Sequence, residues 1–288
     1  MINLFIGALF FSLFGVFARL LSSTMNVYWQ FIIRVGIMSI IFCLIGYFGK
    51  LYKPINTKDW PLLIVRGMIT IFDFLCFYYA VLHLPLGLSL FIFYASSVII
   101  SFLLGAIVLK ETMNLVKVIS LIMAILGLFI MNQEPIFDLN VIALITAIIS
   151  GSCFGLTMTT SKLLTNKYDS MQINLIAFFV TFLLLIPLIV FSKVPAPVTI
   201  SLLTSIKLVG FAIVAAGAAV FTINGYKKIE AQKASLIMLS ELFFVVIIGY
   251  LFYNEIPSIQ TIIGGIFVLV ALALPNVEIC KISKWKKL

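Results

Sequence analysis

Residues 94–111 read YASSVIISFLLGAIVLKE, and residues 238–255 read MLSELFFVVIIGYLFYNE. Laid over one another at an offset of 144, they match Ser96 with Ser240, Gly105 with Gly249 and Glu111 with Glu255. Two further matches fall almost on the same diagonal, ARLL (18–21) with SKLL (161–164) and RG (66–67) with VG (209–210), each at an offset of 143. The chain therefore reads as one unit written twice. What that unit is follows from its surroundings. The 288 residues are 63% hydrophobic and 10% charged, with a mean hydropathy of +1.25, far above that of a soluble domain. A helix needs roughly 20 mainly apolar residues to cross a bilayer, and the chain offers such a stretch repeatedly.

Charges, Pro and Asn divide the sequence into ten spans: 2–21, 27–48, 62–80, 86–109, 115–131, 139–160, 173–192, 205–225, 233–253 and 259–275. Five spans per unit is an odd number, so the second unit enters the membrane the opposite way up. The expected fold is an all-α membrane protein of ten transmembrane helices in two inverted five-helix repeats, residues 1–134 and 135–277, followed by a basic cytoplasmic tail at 278–288. The N-terminal run lacks a basic leader and a small-residue cleavage site, and it is read as a retained first span. The four cysteines have no short spacing, so neither a disulfide framework nor a metal site is expected.

With the N-terminus placed in the cytoplasm, fifteen basic residues fall on the inner side: Lys50, Lys53, Lys58, Arg66, Lys110, Lys117, Lys162, Lys167, Lys227, Lys228, Lys233, Lys281, Lys284, Lys286 and Lys287. Only Arg19, Lys193 and Lys207 fall outside, and Arg34 lies within a span. A missed or extra span would scramble this alternation. The net charge of +9 is thus topological, and no nucleic-acid partner is implied.

The segment from Tyr78 to Met131, with Leu84-Pro85-Leu86-Gly87-Leu88, the Gly105 to Glu111 helix end and a Gly-ending helix, resembles the second part of an EamA-type unit of the drug/metabolite transporter superfamily. Residues 226–274 repeat the pattern with Glu230 about where Pro85 stands and without Leu-Pro. The resemblance covers essentially the whole chain. It implies a multi-pass carrier of small organic solutes in a cell membrane such as the bacterial inner membrane, with both termini cytoplasmic and a cavity lined mainly by helices other than the fifth and tenth.

Three ionisable residues sit well within spans: Arg34, Asp73 and Glu241. Arg34 and Asp73 each lie roughly 10 Å below the outer ends of consecutive spans, so a buried ion pair is expected, either fixing the packing or facing a solute. Glu241 has no charged partner at its own depth, and a carboxylate near mid-membrane costs roughly 2.5–3.5 kcal/mol on insertion scales. That suits coupling to protons or pairing with an ammonium group. Its repeat counterpart is Ser97, so the shared fold does not require it. Further candidate solute-binding residues are Tyr78, Tyr94, Ser96, Ser97, Thr157, Thr160, Asn174, Asn224 and Ser240, with Tyr79, Phe91 and Phe93 as an aromatic wall.

With Arg34 and Asp73 closed on each other, the remaining charge is −1, which favours a cationic or zwitterionic solute such as an amino acid or amine. The expected partners are that solute, the lipid bilayer and protons, with the chain a monomer or a homodimer. No Gly-x-x-x-x-Gly-Lys loop appears, so neither ATP coupling nor a resident cofactor is expected. A membrane enzyme would need clustered acids or His ligands, and the single His83 falls in a loop. A non-transporting subunit or receptor is the other alternative, against which the whole-chain repeat argues.

Overall fold

A computed structural model describes residues 1–132, 140–191, 194–197 and 200–285; the side chains of the last helix are described as far as residue 276. The link between the fifth and sixth spans, Lys193 and the basic tail at 278–288 lie outside the described side chains. Twelve helices and one 3₁₀ turn (Thr57–Asp59) make up the described structure, with no strand among the described residues. They are α1 (Ile2–Ser12), α2 (Phe14–Ser22), α3 (Val27–Phe48), α4 (Trp60–His83), α5 (Leu86–Ile107), α6 (Leu115–Met131), α7 (Val141–Leu164), α8 (Ser170–Phe191), α9 (Leu202–Lys228), α10 (Ala231–Met238), α11 (Ser240–Tyr253) and α12 (Ile259–Trp285).

Helices α1 and α2 form one span broken at Leu13, and α10 and α11 form another broken at Leu239. Nine spans among the described residues are long and apolar enough to cross a membrane, and the 17-residue α6 makes a shorter tenth. Spans two and five occupy the expected ranges, 27–48 and 115–131. Polar side chains start several helices: Asn26, Asn114, Asn140 and Ser201 accept first-turn backbone N–H groups of α3, α6, α7 and α9.

The two halves interlock. Helix α5 packs on α7, α7 on α4, α4 on α8, α8 on α3, α3 on α9, α9 on α1, α1 on α11, α11 on α12, and α12 on α6, which returns to α5. These contacts close a ring. Exchanging each span for its repeat partner maps the ring onto itself, with α3 against α8 and α6 against α12 as self-paired contacts. That is the signature of a twofold axis in the membrane plane.

Glycine sets the closest approaches. At Gly151 and Gly155 of α7 an added Cβ would strike the backbone of Phe93 and Ser97 on α5, and Gly127 and Gly264 press α6 against α12. The alanine face of α9 (Ala212, Ala215, Ala216, Ala219) packs on Met38 and Phe42 of α3.

The ring is closed at its lysine-rich end. There α10 packs against α5, α7 and α1, and Leu4, Ala8, Met158, Tyr226, Ala231, Ala234 and Ile237 form one core across four spans. At the other end the buried clusters sit between ring neighbours, as with Leu21, Met25, Leu208 and Phe211. Helix α11 packs mainly on α1, and only lightly on α10 and α12.

Candidate functional site

Rings cross the centre of the molecule. Phe77 of α4 meets Phe93 of α5 (5.1 Å between centroids), Phe93 meets Phe154 of α7 (5.3 Å), and Phe154 meets Phe11 of α1 (6.0 Å). Phe11 meets Phe14 (5.0 Å), which lies edge-on to Phe211 of α9 (5.3 Å). This aromatic floor joins both halves above the closed core, and the charged side chains stand around it.

The break at Leu239 decides where Glu241 points. Short-range bonds from Leu239 N to Leu236 O and from Leu242 N to Leu239 O make a 3₁₀ step, so α11 restarts with Glu241 in its first turn. The unpaired N–H groups of a helix start favour a carboxylate. Glu241, half-buried, also lies close enough to interact with the hydroxyl of Tyr94 on α5. The partner that sequence depth did not reveal is thus a neutral one, from the other half. Ser240 is buried beside it, and its hydroxyl has no partner among the described residues.

The expected Arg34–Asp73 ion pair is not formed. The Arg34 guanidinium lies over the rings of Phe211 (4.4 Å), Phe14 (5.1 Å) and Phe31 (5.2 Å), and Asp73 accepts a hydrogen bond from Ser150 of α7 at 2.5 Å. The reason is packing. Spans two and three follow one another in sequence, but α3 packs on α8 and α9 while α4 packs on α7 and α8. Rings of Tyr28, Phe31, Phe74 and Tyr78 fill the gap between α3 and α4. Opposite charges at matched depth are therefore held apart, each by contacts of its own.

The other candidates divide. Tyr94 and Ser97 are buried on α5, with Tyr94 at Glu241 and the Ser97 carbonyl against Gly155. Tyr78 belongs to the ring group between α3 and α4, away from Glu241. Asn224 of α9 is half-buried and joins none of these polar contacts among the described residues. Thr160 bonds to its own helix through Leu156 O. His83 stacks on Tyr79 at the end of α4.

Sequence reasoning missed Ser150, which carried no signal beyond lying in a small-residue stretch. It also missed Arg66, counted with the inner loop because the third span was started at 62. Helix α4 begins at Trp60, which places Arg66 two turns inside, 4% exposed, with Nε and Nη1 directed at the carbonyls of Thr157 (3.5 Å) and Ile173 (3.4 Å). Beside those carbonyls, Thr157 Oγ1 and both amide atoms of Asn174 are buried without partners among the described residues.

The lysine-rich end carries its own polar network. Glu111 binds Lys162 and the start of α10, and Glu230 binds Lys117 (3.2 Å) and Lys233 (3.1 Å). Burial would push the Glu230 carboxyl up, but hydrogen bonds from Lys233 and Lys117 outweigh it and hold the group below the usual carboxylate range. Among the described residues no group of His, Cys, Asp and Glu is arranged to hold a metal.

The EamA-like transporter family matches residues 1–133 and again 141–277. A solved structure titled "Crystal structure of protein" superposes with a TM-score of 0.79 over 98% of this chain and 97% of its own, at 16% identity. That likeness is one of fold. No curated protein matches the chain.

Proposed function

The chain belongs to the EamA-like transporter family, within the drug/metabolite transporter superfamily, and on that premise we propose that it is a secondary carrier of a zwitterionic or cationic metabolite such as an amino acid or amine. The observation that carries the substrate class is the separation of Arg34 from Asp73 and Glu241 around one aromatic floor. Each charge is held by neutral groups, namely rings, a serine and a tyrosine. A zwitterion presents a carboxylate for Arg34 and an ammonium for the acids, and an amine engages the acids alone. Exchange of an ammonium for a proton at Glu241 would couple the solute to the proton gradient.

The lysine-rich face is the cytoplasmic one in this reading, and because the packed core lies at that face, the solute enters this state from the opposite side. Transport then proceeds by alternating access between the halves. The chain carries out no covalent step.

Reconstitution into liposomes tests the proposal: flux of labelled amino acids, amines, nucleosides and organic anions is measured with and without a pH gradient. Saturable flux of an amino acid or amine, altered by the gradient, is the expected result. No flux across the panel, or flux confined to anions, overturns it.

A further inference from the structure

Both halves end their fourth span in the same turn. Lys110 (φ 54°) and Asn254 (φ 53°) are left-handed, and the following N–H reaches back six residues, from Glu111 to Gly105 O (2.8 Å) and from Glu255 to Gly249 O (3.1 Å). Each glutamate then folds over its glycine, where a Cβ would collide with the carboxylate. The spans' beginnings match as well: Leu84 (−126°, 154°) and Pro85 (−53°, 138°) have the backbone of Ile229 (−131°, 152°) and Glu230 (−56°, 139°).

The two copies differ in what the glutamate touches. At the lysine-rich face Glu111 is docked, accepting from Ala231 N (2.7 Å) and Gln232 N (3.2 Å) at the start of α10 and from Lys162 Nζ (2.7 Å), which also donates to Ile229 O (2.8 Å). Its side chain is 7% exposed. At the opposite face Glu255 accepts from Arg19 (2.7 Å), the residue standing where Lys162 stands in the other half. There the pair is 52% and 55% exposed, and the atoms nearest Gly249 all belong to Glu255. In the docked copy Gln232 presses on Gly105, whereas an added Cβ at Gly87, the counterpart of Gln232, would meet only Asn132 Oδ1 at 3.8 Å.

We propose that Glu111–Lys162 and Glu255–Arg19 are the two alternating locks of one gate, of which this structure has the first shut and the second assembled but undocked. In the opposite-facing state Glu255 accepts the N–H groups of Leu86 and Gly87 at the start of α5, Arg19 reaches the Leu84 carbonyl, and Glu111 leaves α10. A helix start attracts a carboxylate at either face, so each lock has its own driving force. The locks are unequal, because Glu230 with Lys117 and Lys233 adds a clamp for which Pro85 offers no carboxylate. The breaks at Leu13 and Leu239 fall in only one member of each repeat-related pair of spans, since α7 and α5 run unbroken, and exchange of states moves the breaks to those partners.

The proposal rests on the carrier reading, but it is tested without solute. Spin labels at Leu86 and Ile256 report the outer lock, and labels at Met113 and Lys228 report the inner one. Glu111→Gln is expected to lengthen the inner distance and shorten the outer one, each by about one helical turn of 5 Å. Glu255→Gln, at an exposed position that does not endanger folding, is expected to hold the parent's long outer and short inner distances under all conditions. Distances unchanged by Glu111→Gln in folded protein, or an outer gate that closes in Glu255→Gln, overturn the proposal. Solute flux with immobile gates would leave the carrier reading standing and remove only the locks.

Discussion

In the proposed site Glu241 and Arg34 would ask different things of a solute, and single substitutions separate them. Glu241→Gln keeps the contact with Tyr94 in shape and removes the exchangeable charge. Its flux is expected to fall about tenfold, roughly 1.4 kcal/mol, and to lose its response to a pH gradient, while Ser152→Ala on the exposed side of α7 behaves as the parent. Arg34→Gln is expected to raise the KM for an amino acid about tenfold and leave that of the corresponding amine unchanged, because only the former offers a carboxylate to the guanidinium; competition assays in liposomes measure both. Glu241's place within a span was legible in the sequence as a lone acid in an apolar run whose repeat partner is Ser97; its role is for these variants to decide. The fate of Arg34 and Asp73 was not legible. Depth along a helix follows from counting residues, but direction around it depends on which helices are neighbours, and Phe31 and Phe74 stack at 3.8 Å in the gap between α3 and α4. Ser150 emerges only once α7 is known to lie against α4.

Helices in this fold meet where glycine lets them, and the cost of losing that freedom depends on what stands opposite. Gly151→Ala places a methyl group against the Phe93 carbonyl, a backbone atom that cannot turn aside, and is expected to destabilise the protein by about 1–3 kcal/mol. Gly265→Ala meets nothing within 4 Å, so thermal unfolding in detergent should lower the melting temperature of the first variant and leave the second near the parent. The clamp on α10 responds to acid instead. A carboxyl held below its usual range, as Glu230 is, adds stability above the ordinary carboxylate pKa and loses it as pH falls through the depressed value. The parent is therefore expected to melt above Glu230→Gln at pH 7, with the difference vanishing below about pH 4. Span ends were legible because Asn26, Asn114 and their like announce helix starts, and α3 and α6 begin and end where the charges and caps put them. The breaks at Leu13 and Leu239 were not legible, since neither has Pro or Gly at the step, and serines like the neighbouring Ser12 and Ser240 also occur inside the continuous helices α5 and α7. Pro187, by contrast, sits inside the continuous α8. Tertiary packing, with α10 drawn across to α5, overrides local propensity in the ninth span.

Across the whole molecule, the repeat carries information that neither half holds alone. One diagonal in the sequence, with five spans to a unit, implies the twofold exchange that the ring of helix contacts obeys, down to the matching dihedral angles at Lys110 and Asn254. What breaks that symmetry is conformation and charge: the molecule is shut at one end, and that end is the lysine-rich one. Lysine asymmetry fixes orientation through the cost of moving basic loops across the membrane during insertion. In the orientation proposed above, which puts Lys50, Lys53, Lys110, Lys162, Lys227 and Lys228 on the cytoplasmic face, the end without the packed core faces outward. Single cysteines at Ile256 and Met113, both exposed, test this in a chain whose Cys43, Cys76, Cys153 and Cys280 are replaced by serine. In intact cells a membrane-impermeant maleimide is expected to label position 256 and spare position 113 until the membrane is opened. Labelling in the reverse order would turn the molecule over, leave the ring of helix contacts as it is, and put the end without the packed core in the cytoplasm.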